Sequence, residues 1–227
     1  MRRFATIISV LFLTLCAKAQ VEEPRRVFEM GVSGGVNLSR TEFQPSIRQT
    51  FEDGINGGIM LRYTSEKYFS MICATQLEVN FAQRGWNEDF DDGTDNSYRR
   101  KLNYIEVPLL ARLAWGKEER GSQFVFNLGP QFGFFLDETE KYNGEWIPAQ
   151  RPSSLRPVYG KAVENTFDYG ITGGFGVEWK TKAGNFSLEG RYYYGLADIF
   201  GNSKTDEFGR SANTTLSIKI GYSVRIF

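Results

Sequence analysis

Residues 28–38, FEMGVSGGVNL, alternate between apolar side chains and polar or small ones over their whole length. Because successive side chains of a β-strand point to opposite sides, a period of two predicts a strand with one apolar face. That face carries Phe28, Met30, Val32, Val36 and Leu38. The other face is polar, with Glu29 and Asn37 among small residues.

The same alternation recurs in seven further segments. They span residues 55–63, 76–84, 104–115, 124–134, 168–179, 186–194 and 216–225. These runs reach or exceed the roughly 9–11 residues that a tilted strand needs to cross a bilayer. We therefore expect an all-β protein, an eight-stranded antiparallel up-and-down transmembrane β-barrel of the outer-membrane type, in one domain over residues 20–227.

The connections between these runs alternate in length. The long ones are residues 39–53, 86–98, 137–166 and 197–211, and the short ones are residues 64–68, 116–122 and 181–185. Outer-membrane barrels have tight periplasmic turns and longer extracellular loops. We therefore expect localisation in the cell outer membrane, with both ends of the mature chain on the periplasmic side.

Alternation alone does not decide which face of the barrel points inward. A soluble lipocalin-like barrel would enclose a ligand with its apolar faces, whereas a membrane barrel turns them to lipid. Aromatic residues cluster in two belts at the ends of the runs, which favours the membrane barrel. The short-turn belt contains Tyr63, Tyr68, Phe69, Trp115, Trp179 and Phe186, and the long-loop belt contains Trp86, Phe134, Phe167, Tyr194 and Phe200.

The N-terminus has the pattern of a secretory signal peptide. A basic pair is followed by an apolar run, residues 4–15, and by the cleavage signal Ala17-Lys18-Ala19. We expect residues 1–19 to be removed. The alternative is a lipoprotein anchored through Cys16, but that requires a small residue just before the cysteine, where this chain has leucine. Cys73 is then alone in the mature chain, and we interpret it as an apolar filler rather than a reactive thiol.

Composition excludes several function classes. The chain has 227 residues, with 27 Lys and Arg against 27 Asp and Glu, so no basic excess exists to bind nucleic acid. It has no histidine, which removes imidazole bases and most zinc sites. Paired carboxylates could still perform glycosidase chemistry, but the pattern places no such pair in a cleft. We therefore predict no enzyme activity, no catalytic residue, no metal and no cofactor.

Polar faces that point inward would bring equal numbers of acids and bases into the barrel. The expected lumen residues are Glu29, Arg62, Glu78, Arg84, Glu106, Arg112, Asp168, Glu178, Glu189, Arg191, Lys219 and Arg225. The interior of an eight-stranded barrel is just wide enough for side chains to fill, so we predict a charge-paired plug and a structural or interaction role. The alternative is a narrow porin-like channel for small solutes, because a rearranged plug can conduct.

Four motifs follow one another between residues 104 and 196. They are Tyr104-Ile105-Glu106-Val107-Pro108-Leu109-Leu110, then Gly129-Pro130-Gln131, then Asp168-Tyr169-Gly170-Ile171 with Gly174-Phe175-Gly176-Val177-Glu178, and then Arg191-Tyr192-Tyr193-Tyr194-Gly195-Leu196. Together they resemble the strand signatures of the PorT-like outer-membrane β-barrel proteins of Bacteroidetes, over nearly the whole mature chain. The resemblance implies a barrel in a Gram-negative envelope and, for the name-giving member, a part in protein secretion.

The expected partners are outer-membrane lipid, the barrel-assembly machinery and envelope or secretion-complex proteins. A terminal Phe227 fits the signal that the assembly machinery recognises. The chain departs from that signal two residues earlier, where Arg225 stands in place of an aromatic residue.

Pro108 interrupts the fourth run. Proline cannot donate a ladder hydrogen bond and a closed barrel has no free edge, so we expect a bulge or a local break in strand pairing. Such a break could re-aim the neighbouring Glu106 towards a functional site, but we interpret it as a packing kink.

The long connections carry the candidate contact residues. Residues 88–95, EDFDDGTD, are rich in the carboxylates that suit calcium, but their spacing does not match an EF-hand and we interpret them as a solvated acidic loop. A long loop with aromatic residues on a rigid barrel is a suitable contact surface, and this describes residues 137–166. Its candidate contacts are Tyr142, Trp146 and Tyr159.

Overall fold

The computed structural model of the chain describes residues 22–89, 96–144, 158–202 and 208–226. The expected signal peptide, residues 1–19, lies outside these ranges, as do Trp146 and most of the acidic segment 88–95. Within the described ranges, no helix is long and apolar enough to cross a membrane.

Within these described ranges, eight long antiparallel strands form the fold. They are β1 Glu22–Gln44, β3 Glu52–Tyr68, β4 Met71–Asp89, β5 Ser97–Gly116, β6 Gly121–Asn143, β7 Phe167–Thr181, β8 Gly184–Asp198 and β9 Arg210–Arg225, and a two-residue strand, β2 Gln49–Thr50, pairs beside β4. Each long strand pairs with the next along the chain, and β9 pairs back with β1, for example at Val36↔Ile218. The sheet is therefore closed, and the prediction of an eight-stranded up-and-down barrel is confirmed.

Apolar side chains cover the outside of the barrel. Ile220, Phe175 and Ile59 are 65%, 64% and 57% exposed, whereas the inward-facing Glu178 and Arg62 are 1% and 2% exposed. An outer surface of this kind belongs in hydrocarbon, since in water it would be a large unpartnered apolar surface. The barrel is therefore transmembrane, and the soluble lipocalin-like alternative, which needs the apolar faces inside, is wrong.

The height of the apolar band can be measured along β5. Its outward side chains run from Trp115 to Ile105 without a charge, and the next ones are Asn103, Lys101 and Arg99. About ten residue steps of ~3.3 Å, tilted by about 40°, rise roughly 25 Å, which is the height of the apolar band of outer-membrane barrels. The band therefore ends near Ile105, and β5 continues beyond it.

The strands extend further at the long-loop end than the sequence predicts. β5 and β6 stay paired out to Ser97↔Asn143, so residues 137–143 belong to β6 and not to a loop. Residues 39–44 and 86–89 likewise belong to β1 and β4. These predicted loop boundaries are wrong because alternation marks a strand only while one face is apolar. Beyond the band the outward residues become polar, although the ladder hydrogen bonds continue.

Strand pairing is interrupted at Pro108 without a change of register. The β4–β5 ladder pairs Leu77 with Leu109 and Asn80 with Glu106, and it pairs no residues between these positions. Because both pairs have the same offset, the interruption is the expected local break and not a bulge. Glu106 keeps its inward direction and is 8% exposed.

A lysine at mid-height of the apolar band should be costly. Ile220 faces outward in the middle of the β9 band, so Ile220→Lys places an ammonium group in hydrocarbon and should destabilise the folded barrel by about 2–4 kcal/mol. Val224→Lys, at the short-turn end of the same face, should cost only about 0–1 kcal/mol. Urea unfolding of both variants in lipid bilayers measures the difference. Equal costs at the two positions would contradict the depth assigned to the band.

Candidate functional site

A continuous series of alternating acids and bases, the ion-pair chain, fills the barrel from the short-turn end to mid-height. Its seven successive N···O distances lie between 2.6 and 2.9 Å, and no member's side chain is more than 8% exposed. In order, the members are Glu29, Arg62, Glu178, Arg112, Glu189, Arg191, Glu78 and Lys219. Four carboxylates thus face four cations, and this close pairing offsets the cost of removing the charges from water.

The ion-pair chain connects strands that are not neighbours in the sheet. Arg62 on β3 contacts Glu178 on β7, and Arg191 on β8 contacts Glu78 on β4, both across the lumen. β6 joins through Asn127, whose Nδ2 donates to a carboxylate of the ion-pair chain at 3.0 Å. Side chains from all eight long strands therefore meet in one network. They do so because residues of inward parity all reach the same narrow lumen.

A second group, the Arg84 cluster, lies nearer the long-loop end of the lumen. The Arg84 guanidinium contacts Glu106 at 2.5 Å and Asp168 at 2.7 Å. Its Cζ lies 4.1 Å and 5.3 Å from the ring centroids of Tyr193 and Tyr104. Two carboxylates and two aromatic faces therefore hold this buried cation.

A small polar cavity lies between the ion-pair chain and the Arg84 cluster. Its volume is about 20 Å³, and its lining includes Arg191, Lys219 and Arg84. That volume is enough for a single water molecule, which Asn56 and Asn80 on the same wall could hydrogen-bond. The lumen is therefore filled by side chains at this level.

An apolar cluster, the cap, closes the lumen at the long-loop end. Trp86 and Phe200 are fully buried in it, and the ring centroids of Trp86 and Phe43 are 5.1 Å apart. Its members are Phe43, Ile47, Trp86, Tyr98, Leu102, Tyr104, Val158, Ile199, Phe200 and Phe208. The expected place of Trp86 and Phe200 in the lipid-facing belt is therefore wrong. Trp86 has the inward parity of Arg84, and Phe200 follows β8 and folds over the mouth.

Arg100 binds the connecting segment that contains Val158 and Lys161 and so holds it against the cap. It is fully buried on β5, pairs with Glu138 and Glu140 of β6, and donates to the main-chain carbonyls of Val158 and Lys161. Neither Arg100 nor the cap is predicted from the sequence above. The inward position of Arg100 could have been read from the alternation of β5, because every second residue still points into the lumen beyond the end of the apolar band.

Eleven of the twelve expected lumen residues lie inside the barrel, in the ion-pair chain or the Arg84 cluster. Arg225 is the exception. It keeps the inward parity of β9 but lies at the end of the strand, where its side chain is exposed at the short-turn mouth. Parity decides the direction of a side chain, but burial also requires barrel wall on every side.

The expected contact residues have different surroundings. Tyr142 lies on β6 rather than in a loop, and it is 43% exposed. Tyr159 donates its hydroxyl proton to Glu88 at 2.6 Å and packs against the cap. Glu88 is 2% exposed, so the start of the acidic segment faces inward and is not solvated. Among the described residues, no group of three Asp, Glu, Cys or His side chains is placed to hold a metal ion.

Solved outer-membrane barrels are similar to this chain over most of its length, at low sequence identity. Outer membrane protein OprG from Pseudomonas aeruginosa is 13% identical, with a TM-score of 0.49 over 88% of this chain and 98% of that chain. Ail, the attachment invasion locus protein of Yersinia pestis, is 16% identical, with a TM-score of 0.37 over 87% and 99% of the two chains. The outer membrane enzyme PagL is 10% identical, with a TM-score of 0.43 over 86% and 98%.

The sequence also matches a known protein family. The family model of the outer membrane protein beta-barrel domain matches residues 18–201, which include seven of the eight long strands. No individual curated protein sequence, by contrast, matches the chain significantly. With its closed sheet and outward apolar band, the chain belongs to the outer membrane protein beta-barrel domain family.

Proposed function

We propose that this chain is a structural and interaction protein of the outer membrane whose lumen does not conduct solutes. The observation that carries the proposal is the ion-pair chain, which links seven of the eight long strands through seven contacts of 2.6–2.9 Å. The eighth strand, β6, joins it through the Asn127 hydrogen bond of 3.0 Å. The cap adds an apolar closure at the long-loop end. A filled, rigid barrel leaves little interior space for a substrate and suits a scaffold that presents its loops to partners.

The proposed orientation rests on the sequence. The signal-peptide pattern of residues 1–19 implies export with cleavage after Ala19, and the short turns then face the periplasm together with both mature termini. The long-loop end faces outward, where Tyr142, Trp146 and Tyr159 are the proposed contact residues. Insertion by the barrel-assembly machinery into outer-membrane lipid precedes any such contact.

A role in secretion or envelope assembly is supported by the PorT-like resemblance. The four motifs that carry it run from Tyr104 to Leu196, and they favour a Bacteroidetes outer membrane as the setting. We propose no enzyme activity, because the chain has no histidine to act as a base. Turnover of a labelled lipid or glycan by the pure protein, lost on Glu106→Gln, would overturn that part of the proposal.

Recordings in planar bilayers test the closed lumen. The purified barrel should show no steady single-channel conductance, because the ion-pair chain and the cap both obstruct the axis. An open porin reconstituted in the same way is the positive control, and a heat-dependent gel shift verifies that the inserted barrel is folded. Steady conductance steps would contradict the proposal. They would support the narrow channel, for which the polar cavity beside Arg84 is the supporting observation.

Photo-crosslinking tests the interaction role. A photoreactive amino acid in place of Tyr142, which is 43% exposed, should give a discrete adduct with an envelope protein in living cells. The same residue at Ser122, exposed at the short-turn end, is the matched control and should not give that adduct. Identical adducts from both positions would argue against a contact surface at the long-loop end.

A further inference from the structure

We propose that the short-turn mouth of the barrel binds an acidic segment of a polypeptide. A cavity of about 460 Å³ lies at this mouth. Its wall includes Glu29, Lys180 and Asn185 from the inner face of the barrel, together with the β7–β8 turn and Arg225. The site lies at the opposite end from the long loops, and it does not depend on whether the lumen conducts.

The buried and clustered acids of this mouth already have partners. Glu29 accepts hydrogen bonds from Arg62 and from Asn185, both at 2.8 Å. Glu118 pairs with Lys67 at 2.6 Å and with Arg25 at 3.0 Å. The hydrogen bond from Lys67 lowers the pKa of Glu118 below its usual value, and the one from Arg25 lowers it further. These carboxylates therefore do not neutralise the other bases of the mouth.

Several bases of the mouth lack an equivalent partner. In the part of the chain that the structure describes, Arg120, Lys182 and Arg225 form no ion pair, and the remaining acid on the cavity wall is Glu119. Lys180 lies deeper and is 13% exposed at its side chain, and its Nζ is 3.7–3.8 Å from Glu29 and Glu178. These distances exceed every distance within the ion-pair chain. The mouth therefore has cationic groups available for an incoming anion.

The position of the mouth favours a polypeptide over a lipid headgroup. Lipid contacts the outer face of the barrel, where Trp179 and Phe186 are each 45% exposed at the short-turn end. Lys180 and Asn185 point to the inner face, so a ligand must reach them from the water along the barrel axis. Clustered Arg and Lys side chains recognise acidic motifs, because guanidinium groups bind carboxylates in a paired geometry. An extended acidic segment supplies several carboxylates along one flexible chain.

Fluorescence anisotropy with the full-length folded barrel in detergent tests this site. The probe is a fluorescein-labelled hexaglutamate peptide, and a labelled hexaserine peptide measures non-specific binding. We expect saturable binding of hexaglutamate that weakens steeply as salt rises, because exposed charges are screened. Removing two rim cations in Lys182→Gln/Arg225→Gln should weaken that binding about tenfold.

The matched control removes one lysine and one arginine from the other end. Lys141 and Arg40 are exposed beyond the apolar band at the long-loop end, and Lys141→Gln/Arg40→Gln should leave peptide binding unchanged. A heat-dependent gel shift shows that both double variants are folded. Equal loss in the two variants, or hexaglutamate binding no tighter than hexaserine, would overturn the proposal. If the rim variant loses binding to phosphatidylglycerol vesicles but keeps its peptide affinity, the site would be a lipid site and the proposal would be wrong.

Discussion

Replacing Arg191 by methionine should lower the free energy of unfolding by about 3–5 kcal/mol. Arg191 joins the two halves of the ion-pair chain, with Glu78 at 2.7 Å and Glu189 at 2.6 Å, and its side chain is 8% exposed. Methionine fills a similar volume, so the loss is one of charge and not of packing. The variant removes one cationic partner from each of two buried carboxylates, in an ion-pair chain whose charges otherwise balance.

Equilibrium unfolding in urea, followed by the heat-dependent gel shift, measures this effect in detergent or lipid. Arg225→Met is the matched control, since Arg225 has the same inward parity but is exposed, and it should change stability by less than about 0.5 kcal/mol. The double variant Glu189→Gln/Arg191→Met should recover part of the loss. Glu78 then keeps Lys219, and Arg112 keeps Glu178. A single variant as stable as the wild type would show that the ion-pair chain is not a structural plug.

Trp86→Ala should cost a similar amount, about 3–5 kcal/mol, by emptying the centre of the cap. Trp86 is fully buried, its ring packs edge-on against Phe43 at 5.1 Å, and the Arg100 guanidinium lies 5.4 Å from its centroid. Loss of the indole leaves a void that these neighbours cannot fill without moving the backbone. The same unfolding assay measures the change.

Trp179→Ala is the control for this prediction. Trp179 is also a strand tryptophan, but it is 45% exposed in the lipid-facing belt at the short-turn end. Its loss removes an interfacial contact and creates no interior void, so it should cost clearly less than the loss of Trp86. If the two substitutions cost the same, Trp86 would belong to the lipid-facing belt and the cap would not be a packed cluster.

The sequence was sufficient for the parts of the fold that depend on local pattern. The alternation of residues 28–38 and 104–115 predicts strands, and the same parity places Arg62, Glu178 and Arg191 on inner faces. The predicted strands, however, end too early at the long-loop end of the barrel. Residues 137–143 are strand because they hydrogen-bond to β5, not because one of their faces is apolar. Hydrogen bonds between strands leave no period in the sequence of either strand.

The cap shows a second limit of local pattern. Trp86 and Phe200 look like interfacial aromatic residues, since each stands at the end of an apolar run. Whether an aromatic residue faces lipid or covers the lumen depends on how connecting segments fold over the mouth. Val158 and Phe208 belong to two separate connections, and both pack in the cap. The Arg100 guanidinium donates a hydrogen bond to the main-chain carbonyl oxygen of Val158.

The sequence by itself determined the number of long strands, the membrane-facing side of each and eleven of the twelve predicted lumen charges. The strands and their two faces follow from the period of two, which is a property of neighbouring residues, and the aromatic belts indicate which face meets lipid. The tertiary structure alone decided which acid meets which base. Arg191 and Glu78 are 113 positions apart, on strands that do not pair, and they meet because closure and stagger of the sheet bring them to the same level of the lumen.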